Sequence, residues 1–394
     1  MKVKKYKVSE NIALISFALY FIFNFYDRSI SNIFLLLCLM SCLVSYKCLY
    51  LTLKTNSQLL KAIIIFTVYI SILAVYHNTP ISELDNYYRF LLLLALLSIA
   101  LNENKIKILI FLCAIVGSIH AFYNGAFYGI DLYPANVYRY EGTSSSAITY
   151  SNMCATILVM CFYYIFYQND KSFINIFSAV IFLMLFLLTE TRGPIIGIIL
   201  TLLYMTFAIR NNAKNNISPG TPLLFLLVFL SLLMIIPNPI VERMKDVSEF
   251  NFFNPSEITN SSIRERAYYL NFGIHKIKHD YLLGIGPQNV QSSMTESLEG
   301  QGIKNITARD HIHNEFLDIA LKFGLISLIL LLWIYLNLVK SKNNDNRILL
   351  NILMIMLISS QLTQSQFAHH QAITFFICLF YVLQKNTQQE LSKM

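Results

Sequence analysis

Apolar runs long enough to cross a lipid bilayer recur along the whole of this chain, and nothing else about it constrains the fold as tightly. A spanning helix needs about 20 predominantly apolar residues. Such runs lie near 11–27, 29–50, 61–77, 88–102, 107–124, 148–167, 172–189, 193–209, 220–237, 316–339, 348–366 and 370–385. They predict an all-α polytopic integral membrane protein of about twelve transmembrane helices. Composition agrees: 56% of the 394 residues are apolar, 13% are charged, and the mean hydropathy is +0.54. Soluble domains carry about 25% charged residues. So few charges cannot cover a water-facing surface, which excludes a soluble enzyme, a disordered chain and a water-soluble solenoid.

The distribution of charge sets the expected orientation. With the N terminus in the cytoplasm and alternating spans, the inside segments hold seventeen Lys and Arg, and the short outside loops hold four: Arg28, Arg89, Arg139 and Arg192. Basic residues accumulate in cytoplasmic loops, so both termini are expected inside. The formal charge of +8 then needs no nucleic-acid partner. A lysine-bearing start leading straight into a span argues against a cleavable signal peptide. Three parts follow: a bundle of about nine helices at 1–237, a large outside loop at 238–315, and about three helices at 316–394. The loop is the only soluble part large enough to fold on its own. Within it, 262–280 has helical spacing, with Ile263, Ala267, Leu270, Ile274 and Ile277 on one face. The seven cysteines lie in or beside apolar runs and none lies in the loop, so a disulfide-braced domain is not expected.

Charges at the mouth of a span are expensive and mark candidate functional groups. Arg192 lies in the short turn Thr189-Glu190-Thr191-Arg192-Gly193, with Glu190 close enough to hold it. Arg264 and Arg266 open the loop helix, where positive charge opposes the helix dipole and points to an anionic partner. His311 and His313 stand just before span ten, followed by Asn314 and Glu315. A metal site would need further ligands, and only His369 and His370 return to the same face, so acid–base chemistry is the better use. An unperturbed imidazole, with a pKa near 6.5, takes a proton from a hydroxyl at neutral pH. Arginine forks grip phosphate oxygens. Taken alone, these residues describe an outer-face enzyme or transporter acting on an anionic lipid. The stripe Phe316, Ile319, Ala320 and Phe323 puts the start of the span-ten helix near His313, with Asn314 in its first turn. His313 is then expected at the helix mouth and His311 on a looser loop.

At these positions the chain resembles the O-antigen ligase family within the ligase/polymerase superfamily. The matching stretches are T-E-T-R-G at 189–193, the R-x14-Y-L-L-G-I-G run from Arg266 to Gly286, and H-I-H-N-E-F-L-D-I-A-L-K-F-G at 311–324. In the last, His313 precedes Gly324 by ten intervening residues, the family's spacing. E-G-T-S-S-S-A at 141–147 looks like a Gly/Ser/Thr-rich stretch of enterobacterial members. Tyr281 stands where the family usually has Pro, and Ile196 where it often has Leu. The resemblance implies a GT-C-like, inverting glycosyltransferase of the Gram-negative inner membrane that uses no metal or other cofactor. Its donor would be O-polysaccharide on undecaprenyl diphosphate and its acceptor the lipid A–core oligosaccharide at the periplasmic face. By resemblance Arg192 and Arg266 would hold the diphosphate and His313 would activate the acceptor hydroxyl, with Glu190, Arg264, His311 and Asn314 in support.

Two other readings stay open. An O-antigen polymerase would share the donor and a similar site, though H-x-H-N-E with T-E-T-R favours a ligase. A transporter would place its site at mid-membrane in broken helices or repeats, whereas the charges here collect at one surface.

Overall fold

Three helix starts in this chain are set by capping side chains. Asp27 Oδ1 accepts from the N–H groups of Ser29 (2.7 Å) and Ile30 (3.1 Å), Ser146 caps at Ile148, and Asn314 Oδ1 accepts from Leu317 (3.1 Å). The computed structural model describes residues 2–99, 101–128, 140–144, 146–211, 218–235, 255–258, 261–303, 305–341 and 344–385. Among these the regular structure is helical, with no strand. In order come α1 (Lys2–Phe23), α2 (Arg28–Val44), α3 (Tyr46–Thr55), α4 (Ser57–Tyr76), α5 (Asp85–Leu92), α6 (Glu103–Tyr128), α7 (Ala147–Phe162) and α8 (Phe173–Leu188). Then follow α9 (Gly193–Arg210), α10 (Gly220–Ile235), α11 (Ser261–His279), α12 (Val290–Gly300), α13 (Glu315–Leu338), α14 (Asn344–Thr363) and α15 (His370–Lys385).

Six of the described helices are long and apolar enough to cross a membrane, and seven if α2 and α3 count as one bent span. Four more apolar helices are shorter: Ser9–Phe23, Phe173–Leu188, Gly220–Ser231 and His370–Gln384. Two expected spans differ. The run at 29–50 breaks at Ser45, where α2 and α3 meet at 87°. The run at 88–102 is not a continuous helix: α5 stops at Leu92 and the chain continues as the 3-10 turn Leu93–Ser98, all six residues buried. Apolar character there reflects burial among helices rather than contact with lipid, a distinction hydropathy cannot draw. The chain is a helical membrane protein, and among the described residues fewer helices are full-length spans than the sequence has apolar runs.

The loop helix occupies Ser261–His279, over the segment expected to be helical, with Ile263, Ala267, Tyr269 and Phe272 buried. The expected boundary near 237 and most of the segment from 238 to 260 lie outside the described residues. The described part of the loop does not keep its core to itself. Tyr269 and Phe272 of α11, Val290, Met294 and Leu298 of α12, and Ile312 close on Leu321 of α13.

That docking depends on one kink. Gly324, inside α13, has φ +79 and ψ 170, so the helix breaks there. Leu325 N–H turns to Tyr281 O (2.8 Å), while Leu321 O and Lys322 O accept from Ile285 N–H (2.9 Å) and Gly286 N–H (3.1 Å). A Cβ at Gly324 would run into the Leu282 carbonyl oxygen, and one at Gly284 would lie 2.6 Å from Lys322 O. His77 Nε2 reaches Leu283 O (3.1 Å), which ties the same loop to the end of α4. The glycines of the Y-L-L-G-I-G stretch and Gly324 therefore belong to one backbone-to-backbone contact.

Candidate active site

The turns that carry the candidate residues meet at one end of the bundle. Gly193 at the start of α9 faces Thr363 at the end of α14, where a Cβ would lie 3.0 Å from Thr363 Oγ1. Asn86 Nδ2 donates to Phe367 O, and Tyr87 stacks on Phe367 with ring centroids 4.9 Å apart. Gln371 Nε2 donates to Asn24 Oδ1 (2.8 Å). The link 364–369 between α14 and α15 is thereby pinned from several sides.

Arg192 sits at the N-terminal boundary of α9, half-buried, with Pro194 in the first turn of that helix. Glu190 precedes it with φ +50, the left-handed conformation that closes this short turn. Thr189 and Thr191 anchor the turn from within: both are buried, their hydroxyls are 2.8 Å apart, and Thr191 also donates to Ser151 of α7. Its neighbour Gly193 packs on Thr363, which sets Arg192 beside the end of α14.

His313 is the centre of the second group. Its ring stacks on Tyr269 of α11 (centroids 5.7 Å, 28°) and meets His311 edge-on at 4.6 Å. Its Nδ1 is 3.0 Å from Gln364 Oε1, and Gln364 Nε2 is 2.7 Å from His369 Nε2. His311 Nδ1 donates to Asp310 Oδ1 (2.7 Å), and its buried Nε2 has no hydrogen-bond partner. Burial first, then the positive surroundings of His311, Arg266 and Arg309, lowers the His313 imidazole to about 4. His369 is also lowered to about 4, again mainly by burial. The His311 ring holds the Asp310 carboxyl well below the usual carboxylate range. Both His313 and His369 are thus neutral at pH 7, with arginine charge nearby.

The helix does not begin at His313. It starts at Glu315, Asn314 is its cap, and His313 lies one residue before the cap with φ +56. The short polar side chain of Asn314 caps better than it continues a helix, which moves the boundary past the histidine. Asn314 Nδ2 also donates to Leu362 O (3.2 Å), so its contacts are structural. The expected separation of the two histidines is not seen, since they adjoin as rings of one cluster.

Arg264 and Arg266 part ways. Arg264 Nε donates to Ile258 O (2.7 Å), tying α11 to the turn before it. Arg266 is half-buried, and its charge reaches His313. Beneath the cluster, Asp318 Oδ1 accepts from Ile312 N–H (3.1 Å) and Asp318 Oδ2 from Lys322 Nζ (2.7 Å). Glu315 Oε2 accepts from Phe367 N–H (2.8 Å). These buried groups fix the backbone on which His311 and His313 stand.

Nothing in the sequence singles out Gln364, Tyr269 or Asp310. Tyr269 was legible as the residue next to the apolar face of the loop helix, and Gln364 only as one polar residue among several in Gln361-Leu362-Thr363-Gln364-Ser365-Gln366. His369 stands out in the sequence only as a conceivable metal ligand. Among the described residues no group of three or more His, Cys, Asp or Glu is arranged to hold a metal ion. Arg139 and Ser145 lie outside the described residues.

A neutral imidazole with arginine charges nearby, at the end of a membrane bundle, can take a proton from a hydroxyl while an anionic group is held next to it. The family model described as O-antigen ligase matches residues 177–332, from α8 through most of α13. That span includes the Arg192 turn, Arg264, Arg266 and both His311 and His313. No curated protein matches the chain.

Proposed function

We infer that this helical membrane protein, whose residues 177–332 match the O-antigen ligase family model, is the ligase that completes lipopolysaccharide. It moves O-polysaccharide from undecaprenyl diphosphate to a sugar hydroxyl of lipid A–core, at the periplasmic face of a Gram-negative inner membrane. The observation that carries this reading is the neutral, half-buried His313, stacked on Tyr269 and hydrogen-bonded to Gln364, with Arg266 nearby. His313 accepts the hydroxyl proton as the oxygen attacks the anomeric carbon. Arg192 and Arg266 hold the departing diphosphate, whose negative charge grows as the glycosidic bond breaks. One base and one stabilised leaving group suffice for direct displacement with inversion, and the chemistry asks for no metal. If the bent pair and the four shorter apolar helices all cross, the described helices supply eleven of the expected twelve crossings in a GT-C-like arrangement, the buried run at 88–102 being the twelfth apolar stretch.

A polymerase reading survives on the same domain match, because it shares the donor and extends a glycan instead of capping lipid A. Deleting the gene in its native host separates the two. The ligase reading predicts a lipopolysaccharide gel without long bands, an intact core, and glycan left on the carrier lipid. A core capped by a single repeat would instead make the protein a polymerase.

A further inference from the structure

Gln364 touches two histidines at once, and an amide has unlike ends. Its oxygen only accepts and its nitrogen only donates. Gln364 Oε1, 3.0 Å from His313 Nδ1, calls for a proton on that nitrogen. Gln364 Nε2, 2.7 Å from His369 Nε2, calls for a lone pair there. A neutral imidazole carries one proton, so His313 with Nδ1–H has its lone pair on Nε2. Gln364 is 3% exposed, at the end of α14 beside the Thr363 contact with Gly193, and the amide is confined.

We propose that Gln364 is a positioning residue: its amide, set between His313 and His369, holds His313 as the tautomer whose Nε2 accepts the proton of the attacking hydroxyl. The proposal rests on His313 being the base. In the step, the acceptor oxygen bonds to the anomeric carbon and its proton passes to Nε2. The bond from that carbon to the diphosphate oxygen breaks, and its electron pair leaves with the carrier diphosphate. The imidazolium that results still donates from Nδ1 to Gln364 Oε1, so the same amide serves before and after transfer. A reversed amide would set its N–H against Nδ1, put the proton of the neutral ring on Nε2, and oppose the imidazolium. The other charged or titratable groups facing His313 are His311, Arg309 and Asp310 from its own loop, Tyr269 and Arg266 from α11, and His369 from the link before α15; the Tyr269 hydroxyl donates to Thr307 O. None of these offers Nδ1 an acceptor in place of Gln364 Oε1. Gln364 lies outside residues 177–332, so the domain match does not reach it.

The test uses the full chain in nanodiscs with 15N-labelled histidine, the His313 signals being identified by their loss in His313→Ala. At pH 7 the wild type should show a protonated Nδ1 and an unprotonated Nε2 on His313. Gln364→Met, similar in size and without the hydrogen bonds, should give a mixture of tautomers and a kcat lower on the order of tenfold, a part of the about 10²–10⁴-fold that a general base contributes. KM for the donor should hold. Gln364→Glu puts a carboxylate on Nδ1, favours the imidazolium, and should move the acidic limb of the pH–rate profile up by about one unit or more. A wild-type His313 protonated at Nε2 overturns the proposal, as does a Gln364→Glu protein with the wild-type limb. The tautomer is read without turnover. A protein with the expected signals that transfers no glycan therefore counts against the ligase reading, not against the tautomer assignment.

Discussion

Two arginines and a histidine are asked to do the chemistry, and each makes a separate demand on its side chain. If Arg192 and Arg266 grip the diphosphate, alanine at either position should abolish transfer, on the order of 100-fold or more for loss of a transition-state charge partner, with membrane expression unchanged. Lysine should restore only part, since an ammonium cannot form the two-pronged contact. Arg264→Ala should be milder, because Arg264 Nε donates to the Ile258 carbonyl within the loop. Full activity in Arg192→Ala would reduce the residue to a headgroup anchor. The pH profile offers an independent reading. A base works when neutral, and His313 is lowered to about 4, so kcat/KM should be flat from pH 7 to about 5 and fall as pH drops through about 4. An acidic limb at 6–7, the range of an unperturbed imidazole, would mean that burial does not act on His313 in this way. The residues legible in advance were the ones that are costly near a membrane: Arg192, Arg266, His311 and His313. Gln364 is neutral and common enough in polar links that its partners, which lie 51 and 5 residues away in the chain, had to be seen in space.

At the scale of elements, the kink in α13 joins the loop to the bundle. Gly324 takes φ +79 so that the Y-L-L-G-I-G backbone can lie against Lys322 and Phe323. Gly324→Ala should cost on the order of 1–3 kcal/mol for the conformation alone, with a clash against Leu282 O added. The expected result is faster proteolysis within 281–312 and loss of transfer, while the remaining helices keep their thermal stability. Wild-type proteolysis and activity in this variant would mean the loop does not depend on the kink. The spacing of ten residues between His313 and Gly324 was visible as a motif, but its reason was not. It sets the first turns of α13, carrying Asp318 and Lys322, as a fixed spacer between the histidine loop and the docking kink. Helix ends were less legible. Leu92 ends the helix in a run that hydropathy reads as continuous, because burial against other helices satisfies an apolar stretch as well as lipid does, and the bend at Ser45 leaves no mark in hydropathy at all.

At the scale of the whole molecule, the histidine cluster, the Arg192 turn and the loop must share one side of one membrane. The distribution of Lys and Arg predicts that side to be periplasmic. A reporter fused after Gln301 should be active outside the cytoplasm and one fused after Ser341 inside. Reversal at either point would put the site on the wrong face for a lipid-linked glycan donor. The most direct measurement is transfer itself, in proteoliposomes carrying purified protein, polysaccharide on undecaprenyl diphosphate and lipid A–core. Wild type should form the linked product, and His313→Ala should lose nearly all of it with binding of the carrier lipid retained. His311→Ala should keep a readily measured fraction, since its ring flanks the base and pairs with Asp310. Equal product from His313→Ala and wild type would contradict the mechanism outright.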